Sequence, residues 1–285
     1  MICGVLVCLL FVADMMVGST SLSPREVVDG LFGTSADGAV VKIVRDIRLI
    51  KAIAAVIAGI ALTISGLQMQ TLFRNPLAGP YVLGITSGAS LAVAVVVLGA
   101  PFIVGSSAGW FSSLGIAGAA WVGSAFVLMA ISLIGRRVRD IMVLLILGMM
   151  FSAGVGALVQ VLQYLSREDA LKNYVIWTMG SLGDITLSQL WVLTASTVVG
   201  MVLAVVTIKP LNLLLLGEQA AVSTGLNMKR TRNILFLSTT LLAGGVTAFC
   251  GPIGFIGLAM PHVARAVFGT SDHRVLVPAA GLVGI

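Results

Sequence analysis

The sequence predicts an all-α fold, a polytopic bundle of helices crossing a membrane many times, and three observations carry that expectation. Of the 285 residues, 58% are hydrophobic and only 10% are charged, where a soluble domain carries about a quarter charged residues. Mean hydropathy is +1.10. The apolar residues gather into runs near the ~20 residues that a helix needs to cross hydrocarbon, and 33 glycines suit closely packed membrane helices.

Spans are expected at 1–18, 48–72, 82–104, 114–135, 141–165, 187–208, 232–250, 253–268 and from 275 onward. The first run, Ile2 to Val17, has no basic residue before it and contains Asp14, which argues against a cleaved signal peptide. It reads as a first span whose basic cytoplasmic lead is expected to be missing. Ser23-Pro24-Arg25-Glu26 then reads as a helix start, with proline early and an acid in the first turn. A short amphipathic helix on the outer surface fits, with a disordered loop as the alternative. Arg48 and Lys51 open the second span and offer cations at the outer face, or simply snorkel at a helix end.

The second span breaks at Arg74-Asn75-Pro76, and Pro80 follows four residues after Pro76. Proline lacks an amide donor and turns the preceding residue away from helix, so an irregular link is forced here. It must lie at a membrane face or line a cavity, because hydrocarbon leaves backbone groups unpaired.

With the Arg74 link placed inside, the inner loops hold ten of the 17 Lys and Arg residues and three acids. The outer segments hold seven of each sign. Basic residues in short loops set orientation, and the excess favours this assignment. No Asp, Glu, Lys or Arg interrupts 52–73, 81–135 or 233–263, which counts against a secondary transporter with intramembrane relays. The uncharged polar residues of the spans, Gln68, Gln160 and Gln163 among them, serve interhelical hydrogen bonds or wet a central path.

No G-x-x-x-x-G-K-[ST] phosphate loop, nucleophile elbow or H-E-x-x-H helix is present, and an enzyme needs convergent titratable groups that this chain lacks. Cys3, Cys8 and Cys250 lie in apolar runs without a disulfide or zinc pattern. His262, beside Pro261, reads as a packing or capping residue. The connector from Leu211 to Asn233 is different in character: Gly217 and Gly225 bracket Glu218-Gln219-Ala220-Ala221, and small side chains let a short helix seat its backbone deep in another protein's groove.

Two stretches carry a family resemblance. LQMQTLFRNPLAGPYVLGITSGAS, from Leu67, and GPIGFIGLAMPHVARAVFGTSDHRVLVP at 251–278 resemble the hallmarks of the FecCD family, the permease subunits of ABC importers for iron–siderophore, haem and cobalamin. The resemblance implies a permease without enzymatic activity in the inner membrane of a prokaryote, carrying an iron chelate, with cobalamin as the alternative cargo. It implies a homodimer, or a pair with a paralogous permease, with the path on the two-fold axis. Two ATP-binding cassette subunits would bind ATP and Mg, this chain binding no cofactor and no nucleic acid. A periplasmic or lipid-anchored binding protein would dock above. By resemblance, Gly217, Glu218, Gln219, Ala220, Ala221 and Gly225 engage the ATPase, although the family's Glu position carries Gln219 here. Arg48 and Lys51 meet the binding protein, and Gln68, Arg74, Asn75, Pro76, Leu77, Ile141 and Met142 line the path and inner gate. The whole chain, 1–285, reads as one transmembrane domain. Ten spans are the family's rule, so the ninth is expected to be partial, the tenth absent, and transport by this length poor.

Overall fold

The computed structural model describes residues 2–18, 20, 22–34, 37–99, 113–135, 138 and 141–285. The outer end of the third span and the inner-loop residues Arg136, Arg137, Arg139 and Asp140 lie outside them. Helices α1 (Ile2–Met16) and α2 (Pro24–Phe32) come first. Ser23 and Glu26 close α2 with a capping box, each side chain bonded to the other's backbone amide, so the helix start read from the sequence is there.

Helix α3 (Gly38–Leu72) is the axis of the bundle. It widens into a π-helical turn at Ile43–Leu49 and then runs regularly from Ile50 to Leu72. Around it stand α4 (Ile85–Val97), α5 (Ser113–Gly135), α6 (Ile141–Leu165) and α7 (Glu168–Met179). Next come α8 (Leu187–Val206), α9 (Ile208–Leu215) and α10 (Glu218–Ser223). Helices α11 (Met228–Cys250), α12 (Ile256–Phe268) and α13 (His273–Gly284) complete the described chain. Among the described residues, five helices are long and apolar enough to cross a membrane: α3, α5, α6, α8 and α11.

Backbones meet where both sides lack a side chain. A Cβ placed on Gly66 of α3 would overlap the Gly257 carbonyl of α12, and one on Gly123 of α5 would overlap the Gly88 carbonyl of α4. Such contacts are the membrane's substitute for hydrophobic drive, since lipid tails are as apolar as leucine. Between α11 and α12 the chain is extended. Tyr81 donates to the Ile253 carbonyl and the Ser181 amide to the Cys250 carbonyl, which keeps this irregular backbone bonded inside protein. Of the four apolar cores among the described residues, the first joins α3 with α8, α11, α12 and α13, and another lies nearer the inner end where Leu72 and Phe73 meet Leu211, Ala221 and Phe236.

Candidate functional site

The inner end of α3 is where separate elements converge on polar side chains. The helix stops through local bonding: Asn75 N donates to the Gln70 carbonyl and Arg74 N to that of Thr71. Arg74 takes the left-handed position with φ of 48°, a place where glycine is the low-energy choice and a β-carbon costs of order 1–3 kcal/mol. Asn75 Oδ1 then accepts from Leu77 N at 2.9 Å, shaping the turn. Pro76 and Leu77 stand out of the protein, Leu77 being 69% exposed.

Three glutamine and threonine side chains of α3 are held from three directions. Gln68, fully buried, donates to Ser238 Oγ at 3.1 Å and Thr207 Oγ1 at 3.4 Å and accepts from Thr239 Oγ1 at 3.3 Å. Ser238 and Thr207 are ready acceptors because their own protons go to the Gly200 and Ala204 carbonyls. Gln70 donates to the Leu258 carbonyl and accepts from the Arg265 guanidinium at 2.7 Å. Thr71 Oγ1 lies 2.9 Å from His273 Nε2. His262 donates from Nε2 to the Pro76 carbonyl at 2.9 Å, a capping contact of the kind the sequence led us to expect. Beside this collar a recess of about 290 Å³ opens between Arg74, Arg265 and Leu214.

The connector forms its own short helix. Gly217 (φ 107°) and Gly225 (φ 91°) adopt backbone that disfavours a side chain, and α10 lies between them. A β-carbon on Gly217 would sit 3.7 Å from the Arg74 guanidinium, so the link and the connector lie side by side. Ala221 faces inward and is fully buried against the inner core, while Gln219 and Val222 face out. Glu218 lies within electrostatic reach of Arg232, tying α10 to α11. Helix α9, amphipathic and bent away from α8 at Thr207, was not expected from the sequence, which ran the sixth span to residue 208.

Arg48 does not present its charge to the outer solution. It is 6% exposed and donates to the Met15 carbonyl at 2.7 Å, the Met16 carbonyl at 2.8 Å and the Thr20 carbonyl. The guanidinium thus caps the carboxyl end of α1, where a cation suits the helix dipole. Lys51 is half exposed and paired with Asp14 at 3.1 Å. Ile141 opens α6, and Met142 on its first turn is exposed. Continuing along that helix, Ile146, Met149, Ala153, Ala157, Gln160 and Tyr164 recur every three or four residues on one open face.

The FecCD transport family matches residues 6–285. The chain belongs to that family. It is 37% identical over 281 residues to the hemin transport system permease protein HmuU of Yersinia pestis, covering 98% of this chain and 81% of that one. It is 36% identical over 239 residues to the vitamin B12 import system permease protein BtuC of Salmonella typhi, covering 84% and 70%. A solved structure described as an inward-facing conformation of a metal-chelate type ABC transporter superposes with a TM-score of 0.84 at 28% identity, over 99% of this chain and 85% of that chain. This FecCD protein is accordingly a permease subunit of an ABC importer in the inner membrane, not itself an enzyme, and such permeases work with ATPase and substrate-binding partners.

Proposed function

We propose that the chain is one of two identical permease subunits of an importer for an iron chelate, siderophore or haem. ATP with Mg is hydrolysed on two separate cassette subunits that engage α10 and its flanking glycines. The observation that carries the dimeric path is the open face of α6. Its middle is built of small residues, Ala153, Gly154 and Ala157, followed by the exposed Gln160, and a β-carbon on Gly154 or Gly156 would meet nothing within 4 Å. Small and polar side chains gain nothing against lipid tails, whereas a seam between copies or a wide path uses both. Two such faces across a two-fold axis would enclose the path, with Arg74 to Leu77 and Met142 at its inner mouth. The chelate reading is supported by the match to the hemin permease along 98% of this chain. The binding protein would meet Lys51 at the outer face, with Arg48 holding the ends of α1 and α3 in register beneath it.

The test is uptake of labelled ferric siderophore, haem and cobalamin by cells lacking this permease, with and without the gene restored. Restored uptake of an iron chelate alone supports the assignment; restored cobalamin uptake alone moves the chain to the cobalamin branch. For the connector, Val222→Asp puts a charge on the outward face of α10, and loss of ATPase co-purification is expected. Val222 is the sharper probe than Ala221, because Ala221 supports the permease's own core.

A further inference from the structure

Asn212, on α9 at the entrance to the connector, is bonded by all of its polar side-chain atoms to residues about 60 positions later. Its Oδ1 accepts from the His273 backbone N–H at 2.8 Å, and the same oxygen lies 2.8 Å from His273 Nδ1. Its Nδ2 donates to Asp272 Oδ1 at 2.6 Å. A backbone N–H only donates, so the amide orientation is determined, and Nδ1 must carry the ring proton. Nε2 of the neutral ring is then an acceptor, 2.9 Å from the Thr71 hydroxyl, whose single proton it shares with the Leu67 carbonyl at 3.0 Å in a three-centre bond. A hydrogen-bonded chain therefore runs from α9, through the imidazole, into the last turn of α3. Thr71 is three residues before Arg74, so the chain ends where the inner link begins. No covalent segment makes this connection: Thr71 and His273 are 202 residues apart, and Asn212 and His273 are 61.

We propose that Asn212 and His273 are positioning residues that transmit movement of the connector to the inner end of α3. The proposal rests on the reading of α10 as the ATPase-engaging helix. Apolar contacts between α9 and α3 resist separation but slide, because packing of leucines is not directional. The Asn212 fork and the imidazole are directional on both sides, so a displaced α9 carries His273 and Thr71 with it. His273 is buried, which keeps water from exchanging into the chain. Asp272 holds the arrangement from the other side, capping α13 through the Arg274 amide while accepting from Asn212.

The experiment uses the assembled importer, permease with ATPase and binding protein, in proteoliposomes, and reads cargo transported per ATP hydrolysed. Asn212→Ala should leave complex assembly and hydrolysis near wild type and lower that ratio about tenfold, within the usual range of coupling between sites. His273→Ala should do the same, and the double substitution should add little, since both cut one chain. Should either variant assemble poorly, Thr71→Val removes only the hydroxyl end and should lower the ratio in fully assembled complex. Transport and hydrolysis that stay in step in assembled Asn212→Ala or Thr71→Val would overturn the proposal. Val222→Asp separates the two levels of inference. If it leaves the ATPase bound, the connector reading fails; if it releases the ATPase while Asn212→Ala keeps a normal ratio, only the transmission role fails.

Discussion

Helices α3 and α6 look alike as apolar runs, yet one is the hub of the bundle and the other its wall. Half of the spanning window of α3 is buried within the chain, against 28% of that of α6. The difference lies in where the small and polar residues sit. On α3, Ser65, Gly66, Gln68, Gln70 and Thr71 are all buried and bonded or packed against neighbouring helices. On α6, Ala153, Gly154, Ala157 and Gln160 lie on an open face. Polar content alone therefore says that a span has work beyond meeting lipid. Only the packing says whether that work is done inside the chain or toward a partner and the cargo.

The largest contrast between the two helices should come from glycine. Gly66→Val drives a branched side chain into the Gly257 carbonyl, backbone against backbone with no flexible group to move aside. The cost should exceed the ~1–3 kcal/mol of ordinary overpacking. Little folded protein is expected in detergent by size-exclusion chromatography. Gly154→Val on α6 should yield as much folded protein as wild type, because nothing within the chain surrounds it. If both variants fold equally, α3 is not the hub.

A second contrast pairs the glutamines. Gln68→Leu removes three hydrogen bonds to α8 and α11 and should lower thermal stability by ~1–2 kcal/mol, at ~0.6 kcal/mol per bond in membrane proteins. Gln160→Leu should leave stability unchanged and reduce uptake, if the open face of α6 lines the path. Reversed results, with Gln160→Leu unstable and Gln68→Leu stable but inactive, would exchange the roles of the two helices.

The ends of α6 and the break after α3 were legible from the sequence, because a long apolar run and a Pro-rich link are local properties. The span expected at 141–165 is α6 residue for residue. The capping box at Ser23 and the glycines about the connector are equally local. What could not be read is what long-range packing decides. Arg48 presents the same charge in the sequence whether it meets a partner or, as here, carbonyls about 30 residues upstream. Ala221 reads as a docking residue because it is small, yet its side chain turns into the inner core. Asn212 carries no motif at all, and its importance appears only when α9 and α13 are brought together.

At the outer end of α3, a smaller effect is expected. Lys51→Glu replaces the pair with Asp14 by two carboxylates. Both side chains are near 40% exposed, so the change in stability should stay within about 0–1 kcal/mol. Its effect on binding-protein association should be clear at low ionic strength and fade as salt screens the charge. An association rate that is equally unaffected at every salt concentration would remove Lys51 from the docking surface.

The smallest effect belongs to Asp272, the outermost support of the collar around α3. Its carboxyl is held below the ordinary range first by the Arg274 backbone N–H and then by the Asn212 amide, with the neighbouring positive charge adding to both. A carboxylate depressed in the folded state stabilises it above the unfolded pKa, and that contribution is lost as pH falls through the folded value. The loss should therefore begin below about pH 4, where free aspartate protonates. From pH 5 to 8 the contribution is fully present and constant. Asp272→Asn keeps an N-cap of comparable strength, so unfolding curves at pH 7 should nearly coincide with wild type. The two proteins should differ in how they respond to acid: wild type loses an increment below about pH 4 that the asparagine variant never had. Equal acid sensitivity of both would mean that the Asp272 charge contributes nothing, and that the Asn212 amide is held by His273 alone.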